Sequence, residues 1–230
     1  MSLNLIIFVG AACTALSICS GTLFLHERKA EHHNRAFWLK GAGSFFFLLT
    51  GVFMAVYTER TEAVLVAAGL FCGLLGDLLL GIRNIFPAHK KICFYTGGLA
   101  FSIGHLFYIA ALWNRDGSLT KFTAICFLLL ITGAVVYGQR KEAISSGRLI
   151  PSTIYISFVA VVSAMAMSSF WYYPETGSFL FALGGLSFFI SDNLLGAYTF
   201  GKDQSAKLNI WLHVTYYGAQ ILIGWSSLFL

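Results

Sequence analysis

The chain has 230 residues, of which 57% are hydrophobic and 11% charged, and its mean hydropathy is +0.75. A soluble domain carries about 25% charged residues, so these values exclude a water-soluble globule and indicate a polytopic membrane protein. The net charge of +5 reports orientation in such a chain, and no basic run with interleaved aromatics points to nucleic acid.

A helix crosses the hydrocarbon with about 20 apolar residues. Eight stretches satisfy this, at 5–25, 36–57, 61–82, 93–113, 121–138, 150–171, 178–200 and 208–229. The first lacks the basic region and small-residue cleavage site of a removed signal peptide and is read as a spanning helix. Short connections predict one all-α bundle, a single domain over residues 1–230, with sequential helices as antiparallel neighbours. Cys13, Cys19, Cys72, Cys93 and Cys126 all fall in apolar runs without a CxxC, so neither a disulfide framework nor a zinc knuckle is indicated.

Lys and Arg set the orientation. The odd connections and their flanks hold Arg28, Lys29, Arg35, Lys40, Arg83, Lys90, Lys91, Arg140, Lys141, Arg148, Lys202 and Lys207, which is 12, against 3 in the even connections, Arg60, Arg115 and Lys121. Odd connections are therefore expected on the cytoplasmic side and both termini away from it. Trp38, Trp113, Trp171, Trp211 and Trp225 stand near predicted helix ends, as interface anchors do.

Ten residues are acidic, and only two lie inside long apolar runs: Asp77 in GLFCGLLGDLLLGI and Asp192 in GGLSFFISDNLLGAY. A carboxylate at bilayer depth costs a few kcal/mol or more unless paired, hydrated or protonated, so both are candidate functional groups. The topology puts both in the cytoplasmic half, on helices three and seven. At similar depth, helix eight carries His213, Tyr216, Tyr217 and Gln220, and helix four carries His105 and Tyr108. These stripes predict a polar cavity; the alternative is interhelical hydrogen bonding alone. Gly69, Gly73 and Gly76 form a small-residue face on helix three, and Gly185 and Gly196 share a face with Asp192. Such faces permit close helix approach.

GDLLLG and SDNLLG, each followed by an HxxY (His105 to Tyr108, His213 to Tyr216), outline a faint four-plus-four parallel repeat. Chance similarity between apolar helices gives the same pattern.

The chain has no GxSxG elbow and no HExxH. Four of its six His, namely His26, His32, His33 and His89, fall in loops, so a zinc site is poorly supported. Two carboxyls in a water-restricted cavity suit acid-catalysed hydration or hydrolysis through an oxocarbenium-like transition state. One acts as proton donor; the other stays ionised, steadies the cation and orients water. Asp192 is counted deeper than Asp77, and deeper burial favours the neutral form, which makes Asp192 the expected donor. Rival readings are a proton-coupled transporter or lipid flippase with Asp77 and Asp192 as relay, and a non-catalytic lipid-binding bundle.

At these residues the chain resembles the YhhN-like, lysoplasmalogenase family of eight-helix membrane proteins. The resemblance is carried by GDLLL at 76–80, FYTGGLAFSIGHLFY at 94–108, GGLSFFISDNLLGAYTF at 184–200 and VTYYGAQILI at 214–223. It implies hydrolysis of the vinyl ether bond of lysoplasmalogens to a fatty aldehyde and a glycerophospho-base, with Asp77 and Asp192 catalytic. His105, Tyr108, Ser191, Tyr216, Tyr217 and Gln220 would line the substrate cavity. It implies a lysophospholipid substrate among membrane lipids and no metal or organic cofactor. A compact chain of this kind fits a bacterial inner membrane, or the endoplasmic reticulum in a eukaryote.

Overall fold

The computed structural model describes residues 2–117, 120–141, 149–202 and 204–230; Arg148 of the basic-residue tally lies outside them. The elements are α1 (Leu3–Lys29), α2 (His33–Thr58), α3 (Thr61–Ile85), α4 (Lys90–Asp116), α5 (Lys121–Arg140), α6 (Leu149–Tyr172), α7 (Thr176–Phe200) and α8 (Ala206–Ser226). A 3-10 turn at Pro87–His89 joins α3 to α4. The protein is an all-α, integral multi-pass membrane bundle.

These runs become helices because hydrocarbon offers no water to the backbone, and a helix meets its own N–H and C=O groups. Polar residues close the ends. Ser205 Oγ accepts from Leu208 N at 3.2 Å to start α8. Thr120 and Thr123 form a reciprocal cap at the start of α5, the arrangement that satisfies otherwise orphaned N–H groups. Gly117, at φ 74°, stops α4 in the left-handed region that glycine tolerates.

Among the described residues, seven helices, α1 to α7, are long and apolar enough to cross a membrane. The eighth expected span, α8, falls outside that set. It has 21 residues, enough for about 31 Å at 1.5 Å per residue, but Lys207, Asn209, His213, Tyr216, Tyr217 and Gln220 dilute its apolar character. Four of these polar side chains, His213, Tyr216, Tyr217 and Gln220, are buried inside the protein.

The helices close into a ring. α1 packs on α2, α2 on α3, α3 on α4, α4 on α6, α6 on α7, α7 on α8, and α8 returns to α1. α8 also reaches α2 and α3, which makes it the hub of the half that holds Asp77. α5 stands outside the ring against α6 and α7, and among the described residues it makes no contact with α4. This corrects the expectation that every sequential pair would be neighbours: a lipid-facing apolar helix gains little from one apolar partner over another.

Trp38, Trp113, Trp171 and Trp211 are exposed on the outside of the bundle. Trp225 is turned inward and donates its Nε1–H to Thr14 Oγ1 at 2.9 Å, tying α8 to α1.

Candidate active site

A cavity of about 260 Å³ lies inside the ring, at the end of the bundle that carries the α1–α2, α3–α4 and α7–α8 connections. Asp77 of α3 and Asp192 of α7 both line it, with Lys40 of α2 and Tyr216 and His213 of α8. Glu31 and His33, exposed in and beside the α1–α2 connection, line its outer end, so it communicates with the surface there.

Asp77 is 2% exposed and saturated with partners. Lys40 Nζ meets its Oδ1 at 2.7 Å. Its Oδ2 accepts from Ser44 Oγ and from Tyr216 OH at 2.6 Å. A buried charge is tolerated when it is paired and its remaining lone pairs are met, and here one ammonium and two hydroxyls do both. Lys40 is itself only 12% exposed. It therefore belongs to the site as well as to the flank of the α1–α2 connection, where the basic-residue tally counts it.

Behind Tyr216 runs a chain of donors. Tyr108 OH donates to Gln220 Oε1 at 2.9 Å, and Gln220 Nε2 donates to Tyr216 OH at 3.3 Å. Every link points toward Asp77. α3 admits this chain because it presents glycine: a Cβ at Gly69 would overlap the Tyr108 ring, and one at Gly73 would stand 2.6 Å from Gln220 Nε2.

Asp192 has a different setting. Its Oδ2 accepts from Tyr155 OH of α6 at 2.8 Å. No cation lies within ion-pair distance among the described residues. No hydrogen bond to its other oxygen is formed among them either, while the residue lines the cavity. The two carboxyls thus share one cavity with opposite electrostatics, one compensated by a lysine and one held by a single neutral donor.

Of the residues expected along the cavity, Asp77, Asp192, Ser191 and Tyr216 are on its wall. Ser191 Oγ donates to Leu212 O at 3.0 Å and clamps α7 to α8 beside Asp192. Tyr108 and Gln220 stand one layer back, in the donor chain. Tyr217 also stands back, with its OH donating to Lys40 O at 3.3 Å. His105 donates Nδ1–H to Phe101 O at 2.7 Å and packs edge-on against Phe188 and Tyr155. It therefore touches the ring that holds Asp192 and does not line the cavity.

Three partners were not read from the sequence: Lys40, Ser44 and Tyr155. Lys40 carried a signal, being a lysine inside a predicted span. Tyr155 carried a weaker one, a tyrosine near the same end of helix six as Asp192 of helix seven. Ser44 carried none.

These features define a polytopic membrane protein with an intramembrane cavity organised around two unlike carboxyls. The chain belongs to the YhhN family, whose family model matches residues 36–227. That span includes Lys40, Asp77, Tyr155, Asp192 and the whole donor chain. Comparison with curated proteins finds no match, and comparison with solved structures finds none.

Proposed function

We propose that the protein is a membrane hydrolase that cleaves the vinyl ether bond of a lysoplasmalogen, in keeping with the lysoplasmalogenase activity associated with its family. The observation that carries this reading is the pair of carboxyls on one cavity, Asp77 ion-paired to Lys40 and Asp192 held, among the described residues, only by Tyr155. Environments that push two acids apart assign one as donor and the other as a standing charge.

In this mechanism Asp192 starts protonated and gives its proton to the vinyl carbon one atom removed from the ether-bearing carbon. The ether-bearing carbon becomes an oxocarbenium ion, steadied by the negative charge of Asp77. Water adds to that carbon and returns a proton to Asp192. The hemiacetal then collapses: Asp192 protonates the departing glycerol oxygen and takes back the proton of the hemiacetal hydroxyl, and aldehyde and glycerophospho-base result. One water is consumed and Asp192 ends as it began. Tyr155 orients Asp192, while Tyr216, backed by Gln220 and Tyr108, fixes Asp77.

The cavity volume of about 260 Å³ is below the ~300–1,000 Å³ of sites that enclose a drug-sized ligand. It suits a head group and the first atoms of a chain, leaving the aliphatic tail among the lipids. The basic-residue asymmetry puts this end of the bundle on the cytoplasmic side.

The test is aldehyde release by purified protein in detergent from lysoplasmenyl-ethanolamine. Stoichiometric aldehyde and glycerophosphoethanolamine support the reading. Intact lipid after long incubation, with the protein folded, overturns it in favour of a transporter or a lipid-binding bundle.

A further inference from the structure

Two cations on the cavity wall have no part in the chemistry above. Arg83 of α3 and Arg28 of α1 both line the cavity. Both are half-buried, and among the described residues neither has a carboxylate within ion-pair distance. Glu31 shares their end of the cavity and pairs with neither. Lys40, the third cation, is neutralised by Asp77. The outer part of the cavity therefore carries uncompensated positive charge.

Aromatic faces hold both guanidinium groups. Arg28 lies 5.8 Å from the Phe24 ring centroid and 5.7 Å from that of Tyr198. Arg83 lies 5.6 Å from that of Phe94. Stacking of this kind orients a guanidinium by its face and leaves its N–H edge for another acceptor. His213 adds one further constraint. Its Nδ1–H donates to Asn209 O at 2.8 Å, so Nε2 is the acceptor that Arg28 Nη1 approaches at 3.4 Å.

The spacing to the carboxyls is regular. Arg83 follows Asp77 by six residues on α3, and Tyr198, under Arg28, follows Asp192 by six residues on α7. Six residues advance a helix by about 9 Å. In a lysoplasmalogen the protonated vinyl carbon and the phosphorus are joined by seven bonds, which in an extended zigzag advance ~1.2 Å each and so span roughly 8–9 Å. With the vinyl ether at the carboxyls, the phosphate falls at the level of the two arginines.

We infer that Arg28 and Arg83 form a phosphate subsite at the outer end of the cavity, which holds the phosphodiester of a lysophospholipid and sets its reacting bond at Asp77 and Asp192. Arginine forks match phosphate oxygens in paired N–H···O bonds. The depth argument rests on the hydrolase reading; the unpaired, stacked guanidinium groups do not.

The experiment measures binding to purified protein in neutral detergent, so that no turnover is needed. The probes are 1-O-alkyl-glycerophosphoethanolamine, which has no vinyl ether to cleave, the phosphate-free 1-O-alkylglycerol, and glycerophosphoethanolamine without a chain. The phosphate-bearing lipid is expected to bind at least tenfold tighter than the alkylglycerol. Arg28→Gln and Arg83→Gln should each weaken it by about tenfold or more, the scale of a lost charged hydrogen bond, with alkylglycerol binding unchanged. Arg28→Lys and Arg83→Lys, which keep charge and fold but lose the fork, should recover part of the loss. Glycerophosphoethanolamine should bind weakly and respond to the same substitutions.

Equal affinity for the phosphate-bearing and phosphate-free lipids, or variants that bind like wild type, overturns the subsite. Tight binding of glycerophosphoethanolamine with no gain from the chain overturns a lipid as its source. Arginine-dependent binding in a protein that releases no aldehyde from the alkenyl lipid sinks the hydrolase reading and leaves the subsite standing.

Discussion

The Lys40–Asp77 pair lends itself to a quantitative test. At an N···O distance of 2.7 Å, two unit charges attract by about 6 kcal/mol at an effective dielectric constant of ~20. Desolvation of both ions offsets much of that, but removing one partner of a buried pair still costs about 3–5 kcal/mol, because the other charge is stranded. In Lys40→Met, Asp77 keeps its Ser44 and Tyr216 donors, so the low end, about 3 kcal/mol, is expected. Asp77→Asn strands the ammonium instead. The double variant strands neither charge and should be more stable than the sum of the singles predicts, by about 2 kcal/mol or more. The assay is reversible unfolding in mixed micelles, applied to the four proteins of this cycle. A Lys40→Met cost below about 1 kcal/mol, with additive singles, is the behaviour of a solvated surface pair and refutes the reasoning.

Asp77→Asn and Asp192→Asn should each abolish aldehyde release while leaving folded protein; turnover in either variant removes that carboxyl from the mechanism. Tyr155→Phe removes the one donor to Asp192 and should lower kcat by roughly 10–100-fold, the equivalent of ~1.5–3 kcal/mol for a hydrogen bond to a charged group; an unchanged kcat shows that Tyr155 does not position it. Gln220→Ala breaks both internal links of the donor chain and should cost about 1–3 kcal/mol of stability by leaving Tyr108 unpaired, with less loss of activity than either Asp change. Gly69→Ala drives a Cβ into the buried Tyr108 ring and should destabilise by about 1–3 kcal/mol, while Gly98→Ala, with no atom within 4 Å of the added carbon, should be neutral. A reporter fused at Leu230 should report a non-cytoplasmic C-terminus, and a cytoplasmic signal there reverses the assigned sidedness.

The helices were legible because the cost of an unmet backbone group in hydrocarbon leaves each apolar run one choice. Asp77 and Asp192 were legible for a related reason, since charge at that depth demands compensation. Their partners were not, because pairing depends on the rotation of one helix against another, which apolar periodicity does not fix in a lipid environment. Lys40 illustrates this: near a helix end, a lysine usually extends toward water, and only the placement of α3 beside α2 turns it onto Asp77. His105 shows the converse. It was singled out for its depth, but its Nδ1–H is met by its own helix at Phe101, and its ring serves as packing. Under the four-helix shift suggested by GDLLLG and SDNLLG, the α4–α6 and α8–α2 pairs correspond, whereas α1–α8, α3–α8 and α5–α7 have no counterpart among the described residues.

The glycine face of α3 joins packing and chemistry in one feature. Gly69 faces Tyr108, Gly73 faces Gln220, and Gly76 faces Phe101, whose ring would lie 2.6 Å from an added Cβ. Phe101 packs edge-on against Tyr216, so all three positions bear on the groups that end at Asp77. A larger residue at any of them forces α4 or α8 away from α3, and the hydroxyl of Tyr216, 2.6 Å from Asp77 Oδ2, moves with them. The small residues that let membrane helices approach closely thus also decide how many donors Asp77 keeps. Among the described residues Asp192 has no comparable row of donors behind it; its one hydroxyl comes from α6. The asymmetry between the two carboxyls therefore begins in the sequence of α3, where three glycines leave room for a tyrosine, an amide and a phenyl ring.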